Sequence, residues 1–219
     1  MPVPTASTMS RPYAGQSAQQ RRAERRARFL AAGIEEFGRN GYAATTIRSL
    51  CARAGLTQRY FYQEFEGMEA LFIAVGTELG GLLRTNILSA LRQAENTPTA
   101  IAEAALTAYF RTMRDDPRIG RILLVEIFMV SQYTETAARQ FMDEFAKLLH
   151  GTVESLYPNL SRQGLSTRLL AVGLIGATHH IALSWSLGNY QEPLERVVAT
   201  ALRIYQSTDH AQDAGTSSR

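Results

Sequence analysis

The sequence predicts an all-α protein with about nine helices. Apolar residues recur three and four positions apart along most of its 219 residues. The alternating pattern typical of strands is missing, as is a glycine-rich phosphate-binding loop. Threonines and glycines at positions suited to helix caps interrupt the helical pattern between residues 41 and 72.

Two short helices are predicted between Gly41 and Phe72. The first has Thr45 or Thr46 as its N-cap, because a threonine hydroxyl can accept a hydrogen bond from a first-turn N–H. Its apolar face is formed at helical spacing by Ile47, Leu50, Cys51 and Ala54. Gly55 ends it, because glycine tolerates the left-handed conformation that closes a helix.

The second short helix follows Thr57, another candidate N-cap. Phe61 and Phe65 are four residues apart and are expected to face the core. Between and before them stand polar and aromatic side chains suited to base edges and phosphates: Gln58, Arg59, Tyr60, Tyr62 and Gln63. A solvated polar face on a short core helix is the alternative. The caps and the glycine turn in register favour a helix-turn-helix that places this helix in the DNA major groove.

Residues 22–72 resemble the DNA-binding domain of the TetR family of bacterial regulators. The matching pieces are 32–41 with Phe37, then 45–47, 54–57, Phe61-Tyr62, Phe65 and 69–71. The resemblance implies DNA contacts at Thr46, Arg48, Thr57, Gln58, Arg59, Tyr60, Tyr62 and Gln63. It also marks two departures: Glu64, which would repel a phosphate if it faced DNA, and Met68, which stands where the family usually has a lysine. Arg59 stands where the family often has a small residue, so it adds a cation.

Charge is distributed unevenly along the chain. Residues 1–66 contain ten Arg and five Glu, a balance of +5, whereas residues 67–219 contain thirteen basic and fifteen acidic residues, a balance of −2. A basic N-terminal third is typical of nucleic-acid binding at that end. Cys51 is the single cysteine, so we expect no internal disulfide and a reduced, cytoplasmic setting. A buried Cys51 is favoured over a redox sensor, and no secretory signal is expected.

Four regions are predicted along the chain. Residues 1–18 form a disordered arm, 19–66 the helix-turn-helix domain, 67–206 a ligand-binding and dimerisation domain, and 207–219 a flexible tail. The arm ends near an arginine cluster that either reaches the minor groove or phosphates or forms a solvated helix start: Arg21, Arg22, Arg25, Arg26 and Arg28. Beyond residue 66, helices are predicted at 67–94, 99–114, 117–131, 134–157, 161–187 and 193–205.

The stretch 169–187 is apolar enough to raise the alternative of a membrane span. Thr178, His179, His180 and two serines argue against it, so a helix buried on every side is expected. Two such C-terminal helices from each of two chains would form a four-helix bundle. The resemblance implies the same homodimer, whose two reading helices would meet a palindromic operator.

The middle helices suggest a cavity for a small molecule, because aromatic and sulfur side chains are abundant there. The candidate ligand-binding residues are Tyr109, Met113, Glu126, Met129, Phe145, His179 and Trp185. Glu126 lies within an apolar arc and needs a partner, either a ligand or an arginine such as Arg121 or Arg168. His179 is equally compatible with a core or interface role.

Together these features predict a ligand-responsive DNA-binding regulator, and the resemblance favours a repressor released from its operator by a small apolar ligand. The alternative is a DNA-organising or adaptor protein of the same fold that has no ligand. An enzyme is not expected, because the only candidate groups are Glu126 with His179 or His180, and these lack metal-ligand spacing. No cofactor, metal or membrane partner is expected.

Overall fold

The computed structural model of the chain describes residues 17–156 and 164–206. Within these ranges the chain is helical and contains no strand, which confirms the predicted fold class. The helices are α1 (Ala18–Asn40), α2 (Ile47–Ala54), α3 (Gln58–Glu64), α4 (Met68–Leu91), α5 (Pro98–Asp115), α6 (Pro117–Gly120), α7 (Gln132–Leu156), α8 (Thr167–Leu187) and α9 (Leu194–Gln206). The predicted arm before residue 17 and the tail 207–219 lie outside the described residues.

Helix α1 begins earlier than the arginine cluster that was expected to start it. Ser17 and Gln20 form a reciprocal capping box, in which each side chain accepts a hydrogen bond from the backbone N–H of the other. The cap satisfies first-turn donors that would otherwise have no partner inside the helix. The arginines therefore lie within the helix, where their side chains can reach α3.

An aromatic core joins the first three helices to α4. The rings of Phe29 and Phe61 meet edge-on at 5.4 Å, and those of Phe37 and Phe72 at 5.1 Å. All four rings are fully buried, and each such burial stabilises the fold by roughly 1.5–3 kcal/mol. Because Phe72 belongs to α4, the helix that leads into the C-terminal part shares its core with the N-terminal helices.

The C-terminal part is a helical assembly in which α5 lies between α4 and α9, while α8 packs on α7. Asn86 of α4 donates a 3.0 Å hydrogen bond to the hydroxyl of Thr112 on α5. Trp185 of α8 meets Phe110 of α5 edge-on at 5.9 Å. An internal space lies between α4, α5, α7, α8 and α9.

The prediction of one continuous helix at 117–131 is wrong. One α-helical turn, α6, is followed by a π-helical segment, Arg121–Val125, and a 3-10 turn, Glu126–Phe128. The local apolar spacing is helical, and the change of helix type coincides with contacts of Arg121 and Glu126 with α1 and with Tyr42. Such segments recur at functional sites.

Helices α4 and α8 are long and apolar enough to cross a membrane by length and composition alone. The most apolar window of α4 is 44% buried inside the protein, whereas that of α8 is only 28% buried. The protein's own chain therefore covers only part of α8, and the predicted burial on every side would require a second chain. An apolar surface of α8 remains uncovered in the single chain.

Candidate functional site

The turn between α2 and α3 is built by local capping. Thr46 and Ser49 form a second capping box at the start of α2. Gly55 ends this helix in the left-handed conformation, at φ 60° and ψ 37°, and the N–H of Leu56 reaches the carbonyl of Cys51 at 3.0 Å. These are the bonds of a glycine-terminated helix, and they fix the angle at which α3 leaves α2.

Thr57 occupies the N-cap position of α3, but its side chain makes no capping hydrogen bond. Thr57 therefore stands at the N-cap position that the sequence predicts, without the capping hydrogen bond that was expected of its hydroxyl. Its hydroxyl is exposed and therefore remains able to contact another molecule. Phe61 is fully buried and Phe65 is 4% exposed, as expected for the core side of α3.

All eight residues expected at the DNA interface have exposed side chains. They are Thr46, Arg48, Thr57, Gln58, Arg59, Tyr60, Tyr62 and Gln63. Tyr60 is 39% exposed and Tyr62 is 58% exposed, although tyrosine rings are normally largely covered. The fold thus presents cations, amides and hydroxyls on the solvent side of one short helix and its approach.

Glu64 is not part of that exposed face. Its side chain is only 1% exposed and forms ion pairs with Arg22 Nε at 3.1 Å and Arg25 Nη2 at 3.5 Å. Arg26 donates a 3.3 Å hydrogen bond to the Glu64 carbonyl oxygen. The condition under which Glu64 would repel a DNA phosphate is therefore not met, because its carboxylate points toward α1.

These four residues, Arg22, Arg25, Arg26 and Glu64, are called here the Glu64 cluster. The guanidinium of Arg25 also lies over the ring of Tyr60, 4.9 Å from its centroid, an arrangement in which cation and ring attract. The cluster therefore holds α3 against α1. Sequence reasoning missed this role, because the i, i+3 and i+4 spacing of the arginines indicates one helix face but not what covers it.

Met68 is the first residue of α4, and its side chain packs against the core. The position where the family usually has a lysine therefore carries no positive charge. Cys51 is 6% exposed in the same core, and burial raises the pKa of its thiol. A buried thiol with a raised pKa is a poor redox sensor, which agrees with the packing role expected for it.

A cavity of about 520 Å³ lies between the C-terminal helices. Its wall is mainly apolar, and both α4 and the 3-10 turn contribute to it, through Ile73, Leu83, Ile127 and Phe128 among others. This size falls within the range of small-molecule sites. At its rim an exposed pair, Arg84 and Glu144, joins α4 to α7 at 4.0 Å.

The structure brings together four of the seven candidate ligand-binding residues. Tyr109, Met113, Phe145 and His179 line the cavity. Burial lowers the pKa of His179, with a smaller effect of His180 in the same direction, so its ring is favoured in the neutral form. The edge of its ring meets that of Phe128 at 5.4 Å.

The other three candidates lie elsewhere, which corrects the expectation for them. Met129 is 77% exposed beyond the 3-10 turn. Trp185 packs against Phe110 and donates its indole N–H to the carbonyl of Glu192 at 3.0 Å. Glu126 faces α1, where its carboxylate pairs with Arg121 at 3.3 Å. The arginine alternative for Glu126 is thereby favoured over the ligand.

The contacts of Glu126 form a junction between the cavity wall and the N-terminal helices. Its Oε2 accepts a 3.1 Å hydrogen bond from the N–H of Tyr42, and Arg121 donates a 2.7 Å bond to the carbonyl of Arg39. We call Arg39, Tyr42, Arg121 and Glu126 the α1 junction. Glu126 directly precedes Ile127 and Phe128, both of which line the cavity. No group of three metal-ligating side chains occurs in the part of the chain that the structure describes.

Comparison with known proteins agrees with this arrangement. Residues 29–75 match the profile of the bacterial regulatory proteins of the tetR family. The chain is 29% identical over 184 residues to the HTH-type transcriptional activator FasR of Mycolicibacterium smegmatis, across 80% of this chain and 77% of FasR.

Solved structures show the same fold. The fatty acid degradation regulator FadR from Bacillus halodurans superposes with a TM-score of 0.70 at 15% identity, covering 87% of this chain and 96% of FadR. FadR from Bacillus subtilis, solved in complex with stearoyl-CoA, gives 0.71 at 15% identity, covering 82% and 96%. Residues 29–75 therefore form a helix-turn-helix DNA-binding domain of the tetR family of bacterial regulatory proteins, and the relatives of the chain in sequence are transcriptional regulators rather than enzymes.

Proposed function

We propose that the chain is a homodimeric repressor that binds a palindromic operator through α3 and leaves it when an apolar ligand fills the cavity. The observation that carries the DNA-binding part is the exposed face of α3, held by the Glu64 cluster while its aromatic face is buried. A face fixed in this way can enter the major groove without losing much conformational freedom on binding.

Roles for the eight interface residues follow from their chemistry. Arg59 and Gln58 stand in the first turn of α3 and are suited to guanine and adenine edges. Tyr60, Tyr62 and the threonine hydroxyls are suited to phosphate oxygens, as is Arg48 on α2. Phosphate contacts would set the register of the helix, and the first-turn contacts would select the sequence.

The uncovered apolar surface of α8 supports the homodimer. Leu169, Val172 and Leu187 are 58%, 43% and 68% exposed in the single chain. Gly173 and Gly176 have nothing within 4 Å of where a side chain would begin, so another helix can approach closely. Exposed apolar surface of this kind favours association. Packing of α8 and α9 against their copies would produce the four-helix bundle.

The cavity supports the ligand. Its mainly apolar wall and volume suit a long hydrocarbon chain, and the Bacillus subtilis FadR of the same fold was solved with stearoyl-CoA. We propose a ligand that contains an acyl chain. The alternative, a DNA-organising protein without a ligand, would be favoured by a middle domain with no cavity. The presence of the cavity argues against that alternative.

The α1 junction is proposed to transmit ligand binding to the DNA side. A ligand that displaces Ile127 or Phe128 moves the residue next to them, Glu126, which is bonded to the N–H of Tyr42. Tyr42 lies between α1 and α2, so its movement changes the position of the helix-turn-helix. The ligand weakens DNA binding only to the extent that it prefers the displaced state.

DNA binding is tested first with fragments from the promoter region upstream of the protein's own gene. Affinity should fall steeply with salt, and Arg59→Ala should weaken binding by about 1–3 kcal/mol and relax sequence preference if Arg59 reads a base. Arg139→Ala, which removes an exposed arginine of α7 paired with Glu135, is the matched control. Equal loss in both variants would contradict the assignment of α3.

The dimer and the direction of regulation require separate tests. Leu169→Glu should convert the protein to a monomer in light scattering and abolish tight operator binding, whereas a dimer that persists would exclude α8 from the interface. Repression predicts that deleting the gene raises expression from the operator's promoter. A fall would instead indicate activation, the activity named for FasR. The cytoplasm is the proposed location.

A further inference from the structure

Tyr109 from α5 and His179 from α8 are aromatic side chains of the cavity wall whose polar atoms form no hydrogen bond within the part of the chain that the structure describes. A neighbouring polar side chain, that of Thr178, is hydrogen-bonded. The hydroxyl of Thr178 donates to the carbonyl of Leu174 at 2.9 Å and lies 3.0 Å from the hydroxyl of Tyr205. Tyr109 and His179 are therefore unsatisfied, whereas Thr178 beside them is hydrogen-bonded.

Tyr109 lies deep in the protein. Burial raises the pKa of its phenol, with smaller contributions from Tyr205 and Tyr190, and its ring meets Phe110 edge-on at 5.3 Å. Even so, Tyr109 keeps some accessible surface, and its hydroxyl oxygen is not enclosed by protein atoms. Because Tyr109 lines the cavity, a molecule bound there can reach this side chain.

The charged side chains that line the cavity lie at its rim, whereas Tyr109 lies deep in the protein. Arg84 and Glu144 have side chains that are 59% and 65% exposed. A charged head group would be solvated there, while an ionised oxygen at Tyr109 would lose its hydration among apolar side chains. The partner that suits the Tyr109 hydroxyl is therefore a neutral oxygen.

We propose that the ligand carries a neutral hydrogen-bond acceptor, such as a keto, hydroxyl or ester oxygen, within its apolar chain, and that Tyr109 donates to it. This inference rests on the proposed acyl ligand and narrows its class. A plain hydrocarbon chain would leave the buried hydroxyl unpaired, and sites with unpaired polar groups discriminate against ligands that lack the matching atom.

Calorimetric titration of the full-length protein tests the proposal with stearate and a series of mono-oxostearates substituted at successive chain positions. At least one oxostearate should bind roughly five- to tenfold more tightly than stearate, the ratio expected for one neutral hydrogen bond. If stearate binds as tightly as every oxostearate of the series, or more tightly, the inference is overturned. The proposal of an acyl ligand would still stand.

Variants assign the effect to one side chain. Tyr109→Phe should remove the preference for the oxostearate without weakening stearate binding. Tyr190→Phe is the matched control, because it removes a phenol hydroxyl that donates to Ser186 at 3.1 Å and does not line this cavity. The preference should persist in that control.

His179→Leu separates the two unsatisfied groups. If the preference survives Tyr109→Phe but disappears in His179→Leu, the acceptor lies at His179 and the assignment to Tyr109 is overturned. The wild-type preference remains informative even if Tyr109→Phe does not fold. Absence of binding by stearate and by every oxostearate would contradict the proposed acyl ligand, and the narrower inference with it.

Discussion

The Oε2 atom of Glu126 accepts a hydrogen bond of 3.1 Å from the backbone N–H of Tyr42, 84 positions away in the chain. The Glu126 side chain is only 15% exposed, and its other oxygen faces Arg121 at 3.3 Å. The bond joins a segment next to the cavity to the turn that precedes the helix-turn-helix. A single side chain therefore connects the two parts of the proposed mechanism.

Glu126→Ala should uncouple the ligand from DNA. Ligand binding in regulators typically changes the affinity of the other site by about 5- to 150-fold, and we expect this ratio to approach one because Tyr42 loses its link to the cavity. The measurement is operator affinity with and without a saturating acyl ligand. Glu135→Ala, which removes an exposed pair with Arg139, should keep the full ratio. An unchanged ratio in Glu126→Ala would exclude this route.

Glu64→Gln should weaken operator binding, although it removes a negative charge from a DNA-binding domain. The substitution leaves Arg25 without its buried partner and loosens α3, so the free energy of unfolding should also fall by about 1–3 kcal/mol. Glu66→Gln removes the same charge from an exposed position nearby and should bind DNA at least as well as wild type. Stronger binding by Glu64→Gln with unchanged stability would show that Glu64 faces DNA after all.

Gly41→Ala should destabilise the protein at the α1 junction. Gly41 has φ 82° and ψ 163°, a conformation that other residues adopt only at a cost of about 1–3 kcal/mol. A side chain there would also approach Glu126 Oε1 within 2.7 Å. Chemical denaturation should show the loss, while Gly151→Ala, at an exposed position of α7 with open space around it, should be neutral or stabilising. Equal stability of the two variants would contradict the geometry at Gly41.

Stability should fall in acid partly through Glu36 on α1. The hydrogen bond from Arg53 of α2 lowers the pKa of this buried carboxyl, and this effect outweighs the opposing effect of burial. Because the folded-state pKa is lower than the unfolded one, the stabilisation is present above the ordinary carboxyl pKa. It is lost as pH falls through the lowered value.

Denaturation curves measured from neutral to acidic pH check this prediction. Wild type should lose stability more steeply in acid than Glu36→Gln, which no longer titrates at this position. Glu192→Gln, which removes an exposed pair on the surface, should follow the wild-type curve. Parallel curves for wild type and Glu36→Gln would contradict the role of the Arg53 bond.

The helix-turn-helix could be predicted from sequence because its determinants are local. Thr46 caps α2, Gly55 ends it, and Phe61 and Phe65 anchor α3, all within twenty residues of one another. Each of these choices depends on backbone conformations that a residue type permits or forbids. The same locality predicted which side chains of α3 are exposed.

The remaining features depend on partners distant in sequence. Glu64 is adjacent to the exposed residues in sequence, but its carboxylate is turned inward by Arg22, 42 positions earlier. The helix predicted at 117–131 has continuous apolar spacing, but bonds with Arg39 and Tyr42 accompany its break into π and 3-10 segments. Met129 is likewise exposed just after that break, and the position of Trp185 depends on the packing of α8 on α5.

The most direct test of sequence-selective operator binding uses purified protein and sheared genomic DNA, followed by sequencing of the bound fragments. We expect enrichment of a short palindrome near a promoter, and loss of that enrichment in a variant carrying Gln58→Ala and Arg59→Ala. Binding without sequence preference, or no enrichment at all, would contradict the central claim that α3 reads an operator.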